Sequence, residues 1–107
     1  MEELAKKTIA NINEICLDFY YFRKENVMER GVALLDNVQE VFKQINFLAT
    51  ENPNDKDVLN MENYAINVLN DLVEAIERED QVLLVDTLDY GVRDLMKIFV
   101  DEREEDE

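Results

Sequence analysis

Apolar residues recur along this chain at steps of three and four, in four separate stretches. The first spans residues 2–23. Ala5, Ile9, Ile12, Ile15, Cys16, Phe19 and Phe22 fall on one side, and Lys6, Lys7, Asn13, Glu14 and Asp18 on the other. That spacing predicts an amphipathic helix with one wet face. The second stretch begins at Asn26, which with Glu29 has the form of a capping box, Asn standing in for Ser or Thr. Its series Met28, Val32, Leu35, Val38, Phe42, Ile45 and Leu48, widened by Val41 and Ala49, makes it the most regular of the four. Glu29, Asp36, Gln39, Glu40 and Lys43 face away.

The clearest punctuation is residues 50–57. Asn52-Pro53 reads as an N-cap followed by proline at the first helical position, where a missing N–H costs nothing. A later start capped by Asp57 fits as well. The third helix carries Val58, Met61, Ala65, Val68, Leu69, Leu72, Ala75 and Ile76. Residues 77–80 contain neither glycine nor proline, yet a turn is required there. One helix over residues 53–100 would run about 70 Å at ~1.5 Å per residue, too long to bury its stripe in so small a domain. Asp80 caps the fourth helix, which buries Leu84, Val85, Leu88, Val92, Leu95, Met96 and Phe99. The tail, residues 101–107, is a charge run expected to fray.

Four helices of matched length with short connections predict an all-α fold, an up-down four-helix bundle over a single domain of residues 1–107. An orthogonal array of two helical hairpins is the alternative. No repeat of 20–50 residues is present.

Composition agrees. Of 107 residues 47% are apolar, with two glycines and one proline, too few breakers for most sandwiches or barrels. The single cysteine, Cys16, has no internal partner and fits a reducing compartment. The N-terminus shows no secretory pattern and no stretch is apolar enough for a membrane span, so the expected setting is the cytoplasm. The formal charge is −15. Residues 1–50 hold 6 basic and 8 acidic residues (−2), and residues 51–107 hold 5 and 18 (−13). Such a field disfavours nucleic acid and anionic membranes and leaves solubility, a divalent cation or a basic protein partner.

Catalytic chemistry has few carriers. There is no histidine, so the commonest general base and zinc ligand are missing. Cys16 lies on an apolar face without that base and reads as a buried structural thiol. No glycine-rich phosphate loop occurs. Carboxylate pairs at helical spacing, Glu14 with Asp18 and Asp86 with Asp89, could share a hard cation. With 26 acidic residues such pairs arise by chance, and solvated faces are the simpler reading. Neither catalytic nor metal residues are assigned, and no cofactor is expected.

Two features point to a surface instead. Asn60, Asn63, Asn67 and Asn70 recur at steps of three, four and three, although asparagine is a poor helix former. They are either a wet face or a polar recognition strip. Phe19-Tyr20-Tyr21-Phe22 cannot all face one core, because consecutive helical residues point ~100° apart. Tyr20 and Tyr21 are therefore candidate interaction residues, and Tyr64 and Tyr90 belong at the core margin.

The segment Asp80-Gln81-Val82-Leu83-Leu84-Val85-Asp86-Thr87-Leu88-Asp89-Tyr90 resembles a group of small acidic helical bacterial proteins of unknown function, with the pattern Asp-x-Val-Leu-Leu-x-Asp-x-Leu-x-Tyr. In that group a Glu usually follows; here it is Gly91. The resemblance implies helices and a bacterial cytoplasmic setting and carries no activity. The expected function is a non-catalytic protein-interaction module: an adaptor, chaperone or regulator, with a homodimer as its nearest variant. A carboxylate-based divalent-metal binder or hydrolase is one alternative. An acidic decoy of a basic nucleic-acid-binding site is another.

Overall fold

Residues 1–22 and 26–100 are described by a computed structural model of the chain. Arg23, the last residue assigned to the first helix, and the tail 101–107 lie outside the described residues. Four helical rods pack against each other as an all-α four-helix bundle. The first rod is α1 (Glu2–Leu17), which runs on into a π-helical segment, Asp18–Phe22. The second joins α2 (Val27–Ala33) to α3 (Leu35–Glu51). The third is α4 (Lys56–Glu77). The fourth is α5 (Gln81–Asp86), a second π-helical segment, Thr87–Val92, and α6 (Arg93–Lys97).

Pairs across the rods show the up-down order. Arg30 meets Asp18 and Asn37 meets Thr8, so the second rod runs antiparallel to the first. Asn13 meets Arg93 and Tyr20 meets Asp86, so the fourth also runs antiparallel to the first. One apolar core joins all four, and Ile12, Ile45, Leu72, Leu84, Leu88 and Met96 are fully buried within it. Burying each such side chain contributes about 1.5–3 kcal/mol, which is what holds helices that would be marginal alone. The one buried hydroxyl on the first rod is partnered. Thr8 Oγ1 donates to the Leu4 carbonyl (2.7 Å) and accepts from Asn37 Nδ2 (3.1 Å).

The ends of the rods correct two expectations. Asp55, not Asn52 or Asp57, caps α4, its carboxylate accepting from the N–H groups of Asp57 and Val58. Pro53 sits in the turn before it. Asn26 precedes α2 but makes no side-chain cap bond, so the expected capping box does not form. Asp80 does cap α5, accepting from the Leu83 N–H at 3.0 Å. The turn before it closes without glycine. Glu79 takes the left-handed conformation (φ 52°), its N–H reaching the Ile76 carbonyl while the Asp80 N–H reaches Ala75. This is a Schellman arrangement with glutamate where glycine is usual.

The second rod is less regular than its pattern suggests. It breaks at Leu34, whose N–H closes a tight bond to the Gly31 carbonyl at 3.1 Å. The buried stripe is Val27, Gly31, Leu34, Val38, Val41, Ile45 and Ala49; Val32, expected inside, is exposed. The reason is close approach. A β-carbon on Gly31 would lie 2.7 Å from Leu84 Cδ2, so the stripe turns to place the glycine against the fourth rod. Met28, Leu35 and Phe42 move to the margin of the core.

Candidate functional site

The fourth rod carries buried residues at every fourth position: Leu84, Leu88, Val92, Met96 and Val100. In an unbroken α-helix that spacing drifts by ~40° per step off one face. The π-helical segment takes up the drift by fitting an extra residue into its turn. The Arg93 N–H reaches back five residues to the Leu88 carbonyl. The Asp89 carbonyl, which an α-helix would give to that N–H, accepts from the Arg93 guanidinium at 3.1 Å. The same guanidinium pairs with the Asp89 carboxylate and reaches Asn13 Oδ1 on the first rod. Arg93 thus fastens the widened turn and ties two rods together.

On the other side of that segment, the fourth rod and α4 enclose an open groove of about 430 Å³. Tyr64, Asn67, Val68 and Asp71 form the α4 wall; Leu83, Asp86, Thr87, Tyr90 and Gly91 form the other. Gly91 lets the rods meet at the floor, where an added β-carbon would sit 3.1 Å from Val68 Cγ2. The floor is apolar (Val68, Leu83) and the rim is aromatic and acidic. Tyr90 is 69% exposed and Tyr64 41%. Across the top, the Tyr64 hydroxyl donates to the Tyr90 carbonyl at 3.3 Å. The Tyr20 hydroxyl comes over from the first rod to donate to Asp86 Oδ1, also at 3.3 Å. Among the described residues no lysine or arginine forms an ion pair with Asp71 or Asp86.

The electrostatics are of one sign. Partial burial, then the Asp86 charge, raises the pKa of Tyr20; partial burial, then Asp94, raises that of Tyr64. Both phenols stay neutral donors beside carboxylates. Burial also raises the Cys16 thiol, with Arg93 acting against it and Asp86 with it. The thiol is buried and does not line the groove.

The sequence candidates divide. Asn67 lines the groove, and Tyr20 reaches its rim residue Asp86. Asn60, Asn63 and Asn70 are exposed but lie outside the groove lining, and Tyr21 stands out in solvent at the end of the first rod, 75% exposed. Of the two carboxylate pairs, Glu14 and Asp18 converge on one guanidinium, and Asp86 and Asp89 go to separate partners. Asp18 binds Arg30 at 2.5 Å with Glu14 at 3.9 Å from the same guanidinium, and Asp89 binds Arg93. Among the described residues no three acidic or thiol groups converge as a cation site, and no helix is long and apolar enough to cross a membrane. Asp71 follows Asn67 by one turn on α4 but is one acidic residue among 26, and Tyr90, expected at the core margin, comes to the groove from the other rod. Compared with family models, curated proteins and solved structures, the chain has no match.

Proposed function

We propose that this protein is a non-catalytic interaction module that docks a basic segment of a protein partner in the groove between α4 and the fourth rod. The observation that carries this reading is a concave apolar floor under a rim of two exposed tyrosines and two carboxylates that have no basic partner among the described residues. Aromatic rings and an apolar floor offer desolvated contact area, and the carboxylates select the sign of the charge. A net charge of −15 steers basic chains toward the surface and repels nucleic acid. A chain without histidine has few groups for catalysis, which favours binding over turnover. The reducing cytoplasm suits its single thiol.

The test is a titration of isotope-labelled protein with a capped peptide of alternating alanine and basic residues. Amide shifts concentrated at Tyr64, Asn67, Asp71, Asp86 and Tyr90, and weakening as salt is raised, are the expected result. Shifts confined to another face, or none at low salt, would refute the assignment.

A further inference from the structure

We propose that the anchor taken by this groove is an arginine side chain rather than a lysine, its guanidinium held between Asp71 of α4 and Asp86 of the fourth rod against the Tyr90 ring. This rests on the docking reading above and adds the chemistry of the ligand. Asp71 and Asp86 stand on opposite walls, so a cation between them must donate in two directions at once. A guanidinium does so through a planar fork of five N–H donors, whereas an ammonium is a compact point charge that favours one carboxylate and its own water.

The rings point the same way. Tyr90 and Tyr64 are both exposed on the rim, and a flat cation stacks on such a face more readily than a hydrated ammonium. The floor of Val68 and Leu83 suits the methylene stem of a long side chain. Asp86 is also weakly engaged within the chain. Its contact with the Tyr20 hydroxyl, at 3.3 Å, is longer than a good O–H···O bond, and a charge-assisted bidentate pair replaces it easily. The occupant comes from another protein. The inward arginines, Arg30 and Arg93, are fastened to Asp18 and Asp89, and a second copy of this chain would bring another charge of −15 to an acidic rim.

Two capped peptides separate the outcomes, Ala-Arg-Ala-Ala-Arg-Ala-Ala-Arg-Ala and its lysine counterpart, titrated calorimetrically at physiological salt. The arginine peptide binds the native protein about tenfold tighter or better, the margin expected of a stacked, forked contact over a point charge. Asp86→Asn and Asp71→Asn, both at the surface and compatible with folding, each reduce that preference to near unity. Tyr90→Phe keeps it and Tyr90→Ala lowers it. Equal affinity for the two peptides overturns the arginine assignment and leaves the docking function standing. Absence of binding by either peptide overturns the docking function itself, and the anchor with it.

Discussion

Replacing Gly31 by alanine adds one methyl group inside the bundle and sets two opposing effects against each other. The new carbon would lie 2.7 Å from Leu84 Cδ2, 3.0 Å from Cδ1 and 3.1 Å from Cγ. Rotating the leucine methyls relieves the first two contacts but not the third, and Leu84 is fully buried with little room to retreat. Over-packing of this kind costs about 1–3 kcal/mol. Against it, alanine is favoured over glycine within a helix by about 1 kcal/mol. The native background therefore loses about 1 kcal/mol. Removing the obstacle reverses the sign. Leu84→Ala alone costs about 2–5 kcal/mol, and in that background Gly31→Ala gains at least the helical preference of about 1 kcal/mol, because its methyl also fills part of the cavity.

The four proteins form a double-mutant cycle with a coupling of about 2 kcal/mol, well above the ~0.5 kcal/mol within which distant sites add. Urea unfolding followed by circular dichroism measures each corner. Additivity within that margin would show that the second and fourth rods do not meet through Gly31. A single Gly31→Ala variant more stable than the native protein would show the same.

Four further outcomes follow from particular residues. Glu79→Gly raises stability by about 0.5–1 kcal/mol, since relief of the left-handed strain exceeds the added chain entropy; a lower melting temperature would contradict it. Asp80→Ala costs about 1 kcal/mol because Leu83 loses its cap, whereas Asn26→Ala, where no cap bond exists, changes stability by a few tenths at most in urea titration. The stability contributed by three protons is fully present below about pH 9 and is lost as pH rises. The folded state holds the proton of Cys16 above its ordinary value of 9.0 and those of Tyr20 and Tyr64 above 10.0, so deprotonation favours unfolding; Tyr20→Phe flattens the upper part of the decline in thermal melts. Arg93→Met costs about 1–3 kcal/mol by stranding Asp89 and raises the Cys16 pKa further, read from thiolate absorbance; an unchanged titration would separate Arg93 from the thiol.

The rods were legible because burial on one face of a helix leaves a period that any single sequence displays. Ala5, Ile12, Ile15, Leu72, Ala75, Leu88 and Met96 all lie where that period puts them. The second rod was misread at Val32 because the pattern rewards bulk. The core position there belongs to Gly31, whose value is the absence of a side chain opposite Leu84, and no period within one helix reveals what stands across from it. Asp80 caps its helix as expected, but the caps expected of Asn26 and Asn52 do not form, for a similar reason. Asn26, Asn52 and Asp55 are all good cap residues, and the choice among them rests on where the previous rod ends. The widened turn at Thr87–Val92 did leave a trace, the run of buried residues at exact fours from Leu84 to Val100, which an α-helix cannot keep on one face. The groove was half visible. Tyr20 and Asn67 stood out as polar or aromatic residues without a core role, but Asp71 and Tyr90 gain meaning only once α4 and the fourth rod lie side by side.

The placement of the arginines explains why the groove stays open. A bundle with 26 acidic and 11 basic residues has few cations to distribute. Two of them, Arg30 and Arg93, lie inward: Arg30 of α2 pairs with Asp18 of the first rod, and Arg93 closes the gap in its own helix at the π-helical segment. Ion pairs that are partly buried hold their partners far better than pairs in water, so these two arginines are not free to move to Asp71 or Asp86. Among the described residues the groove's carboxylates therefore have no basic side chain paired with them beside the apolar floor. Water screens that charge in the free protein, and a partner that displaces the water with its own cation strengthens the attraction as it binds. Association should accordingly lose affinity with added salt but retain the part carried by the tyrosine rings and by Val68 and Leu83. A purely acidic surface would lose nearly all of it, and this residual binding distinguishes a shaped site from a diffuse field.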